Sequence, residues 1–133
     1  MKYLLDTDTC IYILREQPLG VLARFKRLRT DAIGISAVVM AELAFGAAKS
    51  ASPRNHERLA TFLSMLTIVP FDAEAAAAYG GLRAELERRG RPIGPMDLLI
   101  SAQALALDLV LVTNNEREFK RVPGLRLENW THG

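Results

Sequence analysis

The sequence predicts an α/β protein: a three-layer α/β/α sandwich around a parallel sheet. Short apolar runs alternate with longer segments that have helical spacing and helix-capping residues. This alternation is typical of β-α-β units, whose strands pair in parallel. No linker, repeat or low-complexity tract interrupts it, and half of the chain is hydrophobic. Residues 1–133 are therefore expected to form a single domain with its own core.

The first part of the chain predicts one strand and two helices. Lys2–Leu5 is a short apolar run and is expected to be a buried strand. Asp8 or Thr9 is the predicted N-cap of a helix to about Arg15, because short polar side chains accept hydrogen bonds from the first free amides. A Pro-Leu-Gly turn follows, and Val21–Leu28 has the pattern of a second, amphipathic helix.

The next segment repeats this order. Ala32–Ile35 is expected to be a strand, and Ser36 the N-cap of a helix of small and apolar residues to about Lys49. A Ser-Pro pair opens a further helix to about Leu66. Thr67–Pro70 is expected to be a strand, since β-branched residues favour strands and a proline suits a strand end.

The last part predicts two helices and two strands. Asp72 begins a long helix that ends before a glycine, and a Gly-Pro pair precedes another at about Met96–Leu107. Leu109–Val112 is expected to be a strand, and Leu125–Leu127 a short final one.

Three acids stand alone in apolar surroundings. Asp6 closes the first apolar run, Glu42 is the only ionisable residue in 33–48, and Asp97 is the only one in 92–107. A buried carboxylate without a partner is expensive, so it usually neutralises, pairs or binds a metal. Three such residues at the edges of hydrophobic elements indicate one shared acidic site. Clustered carboxylate oxygens suit Mg²⁺ or Mn²⁺.

Each acid also has a structural interpretation. Asp6 ends a strand and is in a position to cap a helix, Glu42 could pair with a distant arginine, and Asp97 could favour its helix N-terminus through the dipole. All three interpretations would have to hold independently, so the shared site is the better hypothesis.

Other polar residues are expected near the acids, because ligands of parallel sheets bind at the carboxyl ends of strands. Asn115 follows the strand at Leu109–Val112 and could ligate metal or order a water molecule, and Glu118 could supply a fourth carboxylate. Three hydroxyls are candidates for orienting the acids by hydrogen bonds: Thr7, Ser36 and Thr113.

The charge pattern is informative although the formal net charge is only +2, from 17 Lys and Arg against 15 Asp and Glu. The basic residues fall into three runs. Such runs are usually solvated helix faces, but beside an acidic metal site they suit a polyanion. The runs are Arg24–Arg29, then Arg83, Arg88, Arg89 and Arg91, then Arg117, Lys120, Arg121 and Arg126.

Cysteine usage and hydropathy indicate a cytoplasmic protein. Cys10 is the only cysteine, which excludes an internal disulfide, and its apolar surroundings predict a core residue. The amino-terminal segment reaches an acid too early for a signal peptide. No stretch has transmembrane character, because the longest apolar ones contain the acids.

The chain resembles PIN-domain ribonucleases, and more narrowly the VapC-type toxins of bacterial type II toxin–antitoxin pairs. The segments LLDTD, ISAVVMAELAFGA, RPIGPMDLLISAQA and LVTNNEREFKRVPGLRLENW carry the resemblance in their order and spacing. It aligns the family's first three acids with Asp6, Glu42 and Asp97. Its fourth position, often an aspartate, falls on Asn115. Asp8 stands where the family usually has an asparagine.

This resemblance implies a function. It implies a PIN fold and a metal-dependent endoribonuclease, with one or two Mg²⁺ or Mn²⁺ ions held by Asp6, Glu42 and Asp97. It also implies a VapB-like antitoxin, a homodimer and a structured RNA substrate. The leading substrate is tRNA, particularly initiator tRNA cut in its anticodon stem-loop.

Two other functions are compatible with parts of the sequence. Residues 6–9 read Asp-Thr-Asp-Thr, which matches the start of haloacid-dehalogenase-like phosphatases and would use Asp6 and Asp8. The second motif of that class would fall at 111–114, which leaves too little chain for its later motifs. The other alternative is a non-catalytic module that binds RNA or a partner protein.

Overall fold

A computed structural model describes residues 1–132 and places a five-stranded parallel sheet at the centre of the chain. Every strand is short, and the three central ones are apolar and buried along their length. Strands covered on both faces read as continuous apolar runs, which is why the sequence located them. The strands are β1 (Tyr3–Leu5), β2 (Ile33–Ser36), β3 (Thr67–Val69), β4 (Val110–Val112) and β5 (Leu127–Glu128).

Seven α-helices connect or flank the strands within the described residues. Two short 3₁₀ helices, Thr30–Ala32 and Trp130–His132, complete the fold. The α-helices are α1 (Thr7–Arg15), α2 (Leu19–Arg27), α3 (Ala37–Ser50), α4 (Pro53–Ser64), α5 (Ala73–Arg88), α6 (Pro95–Ala106) and α7 (Glu116–Phe119).

The strand order is β3-β2-β1-β4-β5, and all four pairings are parallel. The chain moves outward from β1 to β3 and then crosses to β4 on the other side of β1. Because crossovers between parallel strands are right-handed, α1 to α4 cover one face of the sheet and α5 to α7 the other. The predicted α/β/α sandwich is confirmed. The change of direction leaves a crevice at the carboxyl ends of β1 and β4, where such sheets bind ligands.

The core lies on both sides of the central strands. Leu4, Leu5 and Leu111 have no exposed surface, and Cys10 is equally buried, as predicted. Burial of one such leucine contributes roughly 1.5–3 kcal/mol relative to an exposed one. Trp130 packs against this core. Its ring contacts the ring of Tyr3 edge-on, with 5.6 Å between the ring centroids.

Two local predictions need correction. The N-cap of α1 is Asp6, whose side chain accepts the amide of Thr9, and not Asp8 or Thr9. In the sequence Asp-Thr-Asp-Thr, more than one short polar residue could cap the helix. The structure decides between them, because Asp6 has the extended backbone of an N-cap residue and α1 begins directly after it. The final strand is Leu127–Glu128, which starts two residues later and ends one residue later than predicted.

Within residues 1–132, none of the helices combines the length and the apolar character needed to span a membrane.

Candidate active site

Asp6 lies directly after β1 at the carboxyl edge of the sheet, and it is only 5% exposed. Its Oδ1 accepts the amide of Thr9 at 2.9 Å, and the Thr113 hydroxyl donates a second hydrogen bond to the carboxylate. Burial raises the pKa of Asp6, and the hydrogen bonds from Thr113 and Thr9 lower it in part. The carboxylate is therefore fixed in direction by the fold and still poorly solvated.

Glu42 is half-buried on the second turn of α3. The Thr7 hydroxyl donates a 2.7 Å hydrogen bond to its Oε1. Within residues 1–132, no lysine or arginine forms a salt bridge with Glu42. The described contacts thus offer no cation to explain a carboxylate at this place.

Asp97 lies in the first turn of α6, which begins at the N-cap Gly94. Burial is the main cause of a raised pKa for Asp97, and together with the nearby charges of Glu118, Asp6 and Glu42 it brings the pKa to about 7. A helix dipole alone would lower the pKa of an acid at this position. The opposite shift shows that burial, followed by the charges of three other carboxylates, outweighs the helix dipole.

Glu118 on α7 accepts hydrogen bonds from the segments that precede α6 and α7, beside Asp97. Its Oε1 accepts the amide of Gly94 at 2.6 Å, and its Oε2 accepts the side-chain amide of Asn115 at 3.2 Å. The Gly94 amide is the main cause of a lowered pKa for Glu118. The carboxyls of Asp97 and Glu118 are hydrogen-bonded to each other, and the opposite shifts of their pKa values place the shared proton on Asp97 up to about pH 7.

All four predicted site residues line one pocket of about 120 Å³ at the sheet crevice. We call it the acidic pocket. Among the described residues, no lysine, arginine or histidine lines it, so the ionisable side chains that line it are all acids. It is lined by Asp6, Thr7, Asp8, Glu42, Asp97, Ile100, Asn115 and Phe119.

The donor set of the acidic pocket fits a hard divalent cation. Carboxylate and amide oxygens are the ligands that Mg²⁺ and Mn²⁺ take, and the described residues that line the pocket supply no sulfur or imidazole. Among residues 1–132, no three His, Cys, Asp or Glu side chains form a ready-made metal site. Uncompensated carboxylates repel one another, which accounts for acids that surround a common space without converging on a point.

Two of the three hydroxyl predictions match the contacts. Thr7 bonds to Glu42, and Thr113 bonds to Asp6 and also accepts the backbone amide of Asn115 at 2.9 Å. Ser36 instead caps α3, where its Oγ accepts the Val38 amide at 3.0 Å. A residue that ends a strand and begins a helix has its side chain committed to the cap, which explains the difference.

Most of the basic side chains in the first two runs are engaged elsewhere. Arg24 pairs with Glu128 at 3.1 Å, and Arg29 pairs with Asp31 at 2.9 Å. On α5, Arg83 pairs with Glu87, while Arg88 and Arg89 both reach Glu85. These contacts match the solvated-face interpretation of the two runs.

A second groove, not expected from the sequence, runs from Glu42 between α1, α3 and α4. Its volume is about 330 Å³, and its floor is apolar. Arg15 and Arg58 lie at its sides, and Arg58 also donates to the Leu14 carbonyl. We call it the side groove; because Glu42 lines both, it adjoins the acidic pocket. Its apolar lining is Ile11, Leu14, Leu43, Ala47 and Leu59.

Comparison with known proteins assigns the chain to a family. A family model described as PIN domain matches residues 3–125. The chain is 44% identical over 131 residues to the tRNA(fMet)-specific endonuclease VapC of Salmonella typhimurium, covering 98% of each. It is 45% identical over 132 residues to Ribonuclease VapC2 of Rickettsia felis, again covering 98% of each.

Comparison with solved structures gives the same family as the sequence comparison. The crystal structure of VapBC2 from Rickettsia felis bound to a DNA fragment from their promoter contains a chain with a TM-score of 0.91 and 44% identity. The match covers 98% of the present chain and 99% of that one. These likenesses favour the ribonuclease prediction over the phosphatase and the non-catalytic module.

Proposed function

The chain belongs to the PIN domain family, and we propose that residues 1–133 form a single endoribonuclease domain that acts as the toxin of a type II toxin–antitoxin pair. The proposed substrate is structured RNA, with initiator tRNA cut in its anticodon stem-loop as the leading candidate. The observation that carries the proposal is the gathering of Asp6, Glu42 and Asp97, from three separate elements, around one pocket.

In this proposal Asp6, Glu42 and Asp97 hold Mg²⁺ or Mn²⁺. The bound ion would activate water and stabilise negative charge on the scissile phosphate. The protein's part is to fix the carboxylates, and the hydrogen bonds from Thr7 and Thr113 do this for Glu42 and Asp6.

Asn115 completes the proposed site as a polar, uncharged group. Its side-chain amide donates to Glu118, and within residues 1–132 its Oδ1 accepts no hydrogen bond. That oxygen is available to orient water or substrate. Glu118, anchored by Gly94, acts as the support for Asn115 and Asp97.

Hydrolysis by an activated water needs no side-chain nucleophile, and the pocket agrees with this. Among the described residues that line the pocket, only Thr7 has a hydroxyl, and it is already engaged with Glu42. Cys10 is fully buried, and burial raises the pKa of its thiol well above the ordinary value, so it is a poor nucleophile.

We propose a VapB-like antitoxin as the partner, bound in the side groove. The apolar floor suits aliphatic or aromatic anchors, and the groove ends at Glu42, where a lysine or arginine of the partner would pair with carboxylates. The antitoxin segment bound in the side groove would thereby cover the acidic pocket. The solved complexes of relatives contain such antitoxins. A cytoplasmic location follows from a tRNA substrate.

A homodimer is also proposed. Phe45 is 68% exposed and Met40 37% exposed on α3, and Met96 is 38% exposed beside Asp97. Exposed large apolar side chains of this kind commonly mark protein interfaces.

The test is to sequence the RNA ends produced when the chain is induced, with Glu42→Gln as the matched inactive protein. We expect one dominant new end in the anticodon stem-loop of initiator tRNA, and purified protein should need Mg²⁺ or Mn²⁺ to make it. RNA binding without new ends would establish the non-catalytic module instead. Aryl-phosphate turnover that requires both Asp6 and Asp8 would establish the phosphatase.

A further inference from the structure

The short helix α7 and the two residues that follow it carry a group of basic side chains beside the acidic pocket. Arg117, Lys120 and Arg121 are spaced by three and four residues, which places them on one side of a helical turn. The side chains of Arg117 and Lys120 are exposed, and among the described residues neither side chain forms an ion pair or a hydrogen bond. Arg121 is anchored by donating to the Pro92 carbonyl at 3.0 Å.

This group differs from most other arginines of the chain. Elsewhere in residues 1–132, six arginines are held in ion pairs with acids. Like charges at this spacing repel one another, so the group costs the free protein stability that a bound anion would recover. The six paired residues are Arg24, Arg29, Arg83, Arg88, Arg89 and Arg126.

The position of α7 relates the group to the active site. Asn115 and Phe119, on either side of Arg117 in the chain, both line the acidic pocket. Glu118 turns toward Gly94 at the start of α6. The same helical turn therefore directs its acid toward the site and its cations toward solvent at the rim.

We propose that Arg117 and Lys120 bind backbone phosphates of the RNA next to the phosphate that is cleaved. This inference rests on the proposed function, since it assumes an RNA substrate. The acidic pocket by itself repels a polyanion, and a metal ion can compensate only the phosphates at the scissile bond. The neighbouring phosphates need cations from the protein, and Arg117 and Lys120 are exposed cations at this rim without an ion-pair partner among the described residues.

The test compares RNA binding by wild type and by the double variant Arg117→Gln/Lys120→Gln. The probe is a fluorescent hairpin of the initiator-tRNA anticodon stem-loop, titrated in EDTA so that binding is measured without cleavage. Each phosphate contact with single-stranded RNA adds about 0.7 to the slope of log K against log salt. Losing two phosphate contacts should make this salt dependence less steep by about 1.4. It should also raise the Kd about tenfold at about 0.15 M salt.

Arg27→Gln is the matched control. Arg27 is an exposed cation at the end of α2, before β2 begins, so it lies at the opposite edge of the sheet from the acidic pocket. It should change the Kd by no more than about twofold. The charge-preserving variant Arg117→Lys/Lys120→Arg should bind RNA as wild type does, and thermal melts confirm that each variant is folded.

The outcomes separate this inference from the proposed function. If wild type cleaves RNA and the double variant keeps the wild-type Kd, salt slope and KM, the phosphate subsite is overturned and the ribonuclease stands. If wild type binds RNA without cleaving it and the double variant binds poorly, the subsite stands and the ribonuclease fails. Loss of antitoxin binding with unchanged RNA binding would assign the cations to a protein partner and overturn the subsite.

Discussion

The Thr7 hydroxyl donates to Oε1 of Glu42 at 2.7 Å, joining the first turn of α1 to α3 across 35 positions of the chain. Thr7 directly follows Asp6, so one short segment supplies one acid of the site and orients another. The bond uses Oε1 of Glu42, and within residues 1–132 its Oε2 accepts no hydrogen bond.

Thr7→Val should impair the enzyme without unfolding it, because valine keeps the shape of threonine and removes only the donor. Loss of such an orienting partner typically costs 10–100-fold in metal affinity or activity. The measurement is kcat/KM on the anticodon stem-loop as a function of Mg²⁺ concentration. Thr7→Ser restores the hydroxyl and should recover most of the activity. Equal loss in both variants would show that the hydrogen bond is not the cause.

The sequence was sufficient to locate the sheet and the acids for a clear physical reason. Strands such as Tyr3–Leu5 are buried on both faces and read as unbroken apolar runs. Against that background, an isolated acid such as Glu42 or Asp97 stands out. Their gathering in one pocket then follows from the rule that parallel strands present their carboxyl ends at one edge.

The contacts around Glu118 could not be predicted in the same way. Its bond to Gly94 joins residues 24 positions apart, and the segment around it reads as an ordinary charged surface. The helix α7 is only four residues long, too short for a helical period to be recognised. The side groove could not be predicted either, because it is formed by the packing of three helices and no single helix contains it.

The three acids should act as a unit. Asp6→Asn, Glu42→Gln and Asp97→Asn should each abolish Mg²⁺-dependent cleavage, and double variants should be no worse than single ones. The measurement is single-turnover cleavage of the stem-loop, with folding checked by circular dichroism. Glu57→Gln removes an exposed acid of α4 and should keep full activity. A folded Asp6→Asn protein with near wild-type activity would contradict the site.

Glu118 should prove to be a support and not an essential ligand. Glu118→Ala removes the acceptor of the Gly94 amide and should lower kcat/KM by about 10–100-fold. Glu118→Gln keeps a carbonyl oxygen for the Gly94 amide but loses the oxygen that accepts the Asn115 side-chain amide, so it should be clearly more active than Glu118→Ala and less active than wild type. If Glu118→Gln is as inactive as Glu118→Ala, the negative charge itself is required, and Glu118 belongs with the metal-binding acids.

Without metal, stability should fall as the pH rises through the range in which Asp97 titrates. The folded chain keeps a proton on Asp97 up to about 7, whereas the unfolded chain releases it near 3.8. The folded state thus binds more protons in this window, so unfolding becomes easier with increasing pH. Asp6 has a raised pKa and acts in the same direction. Glu118 acts oppositely, but its lowered pKa confines its effect to pH below 4.5.

Thermal melts in EDTA between about pH 5 and about pH 8 measure this effect. Asp97→Asn should flatten the pH dependence and raise stability at the alkaline end by on the order of 1 kcal/mol, a modest gain because Asp97 is only half-buried. Glu57→Gln should leave the wild-type slope unchanged. Mg²⁺ should stabilise wild type more than Asp97→Asn. A slope that survives in Asp97→Asn would mean that other groups control the pH dependence.

Partner binding and RNA cleavage should be separable in the side groove. Ser50 lines the groove at the end of α3, eight residues after Glu42, which is about 12 Å along a helix. Ser50→Trp should obstruct the groove at its far end and weaken the antitoxin complex at least about tenfold, since apolar anchors dominate such interfaces. Cleavage should remain at the wild-type rate, because the acidic pocket is untouched. Ser50→Ala is the size control and should bind the antitoxin normally.

Co-expression with the antitoxin provides the measurement. Cells should grow when wild type or Ser50→Ala is paired with the antitoxin and stop growing with Ser50→Trp, and co-purification should follow the same order. An antitoxin that still binds and neutralises Ser50→Trp must dock elsewhere, which would remove the side groove from the proposal. Loss of both neutralisation and cleavage would instead show that the groove and the acidic pocket are one continuous site, with α3 as their shared wall.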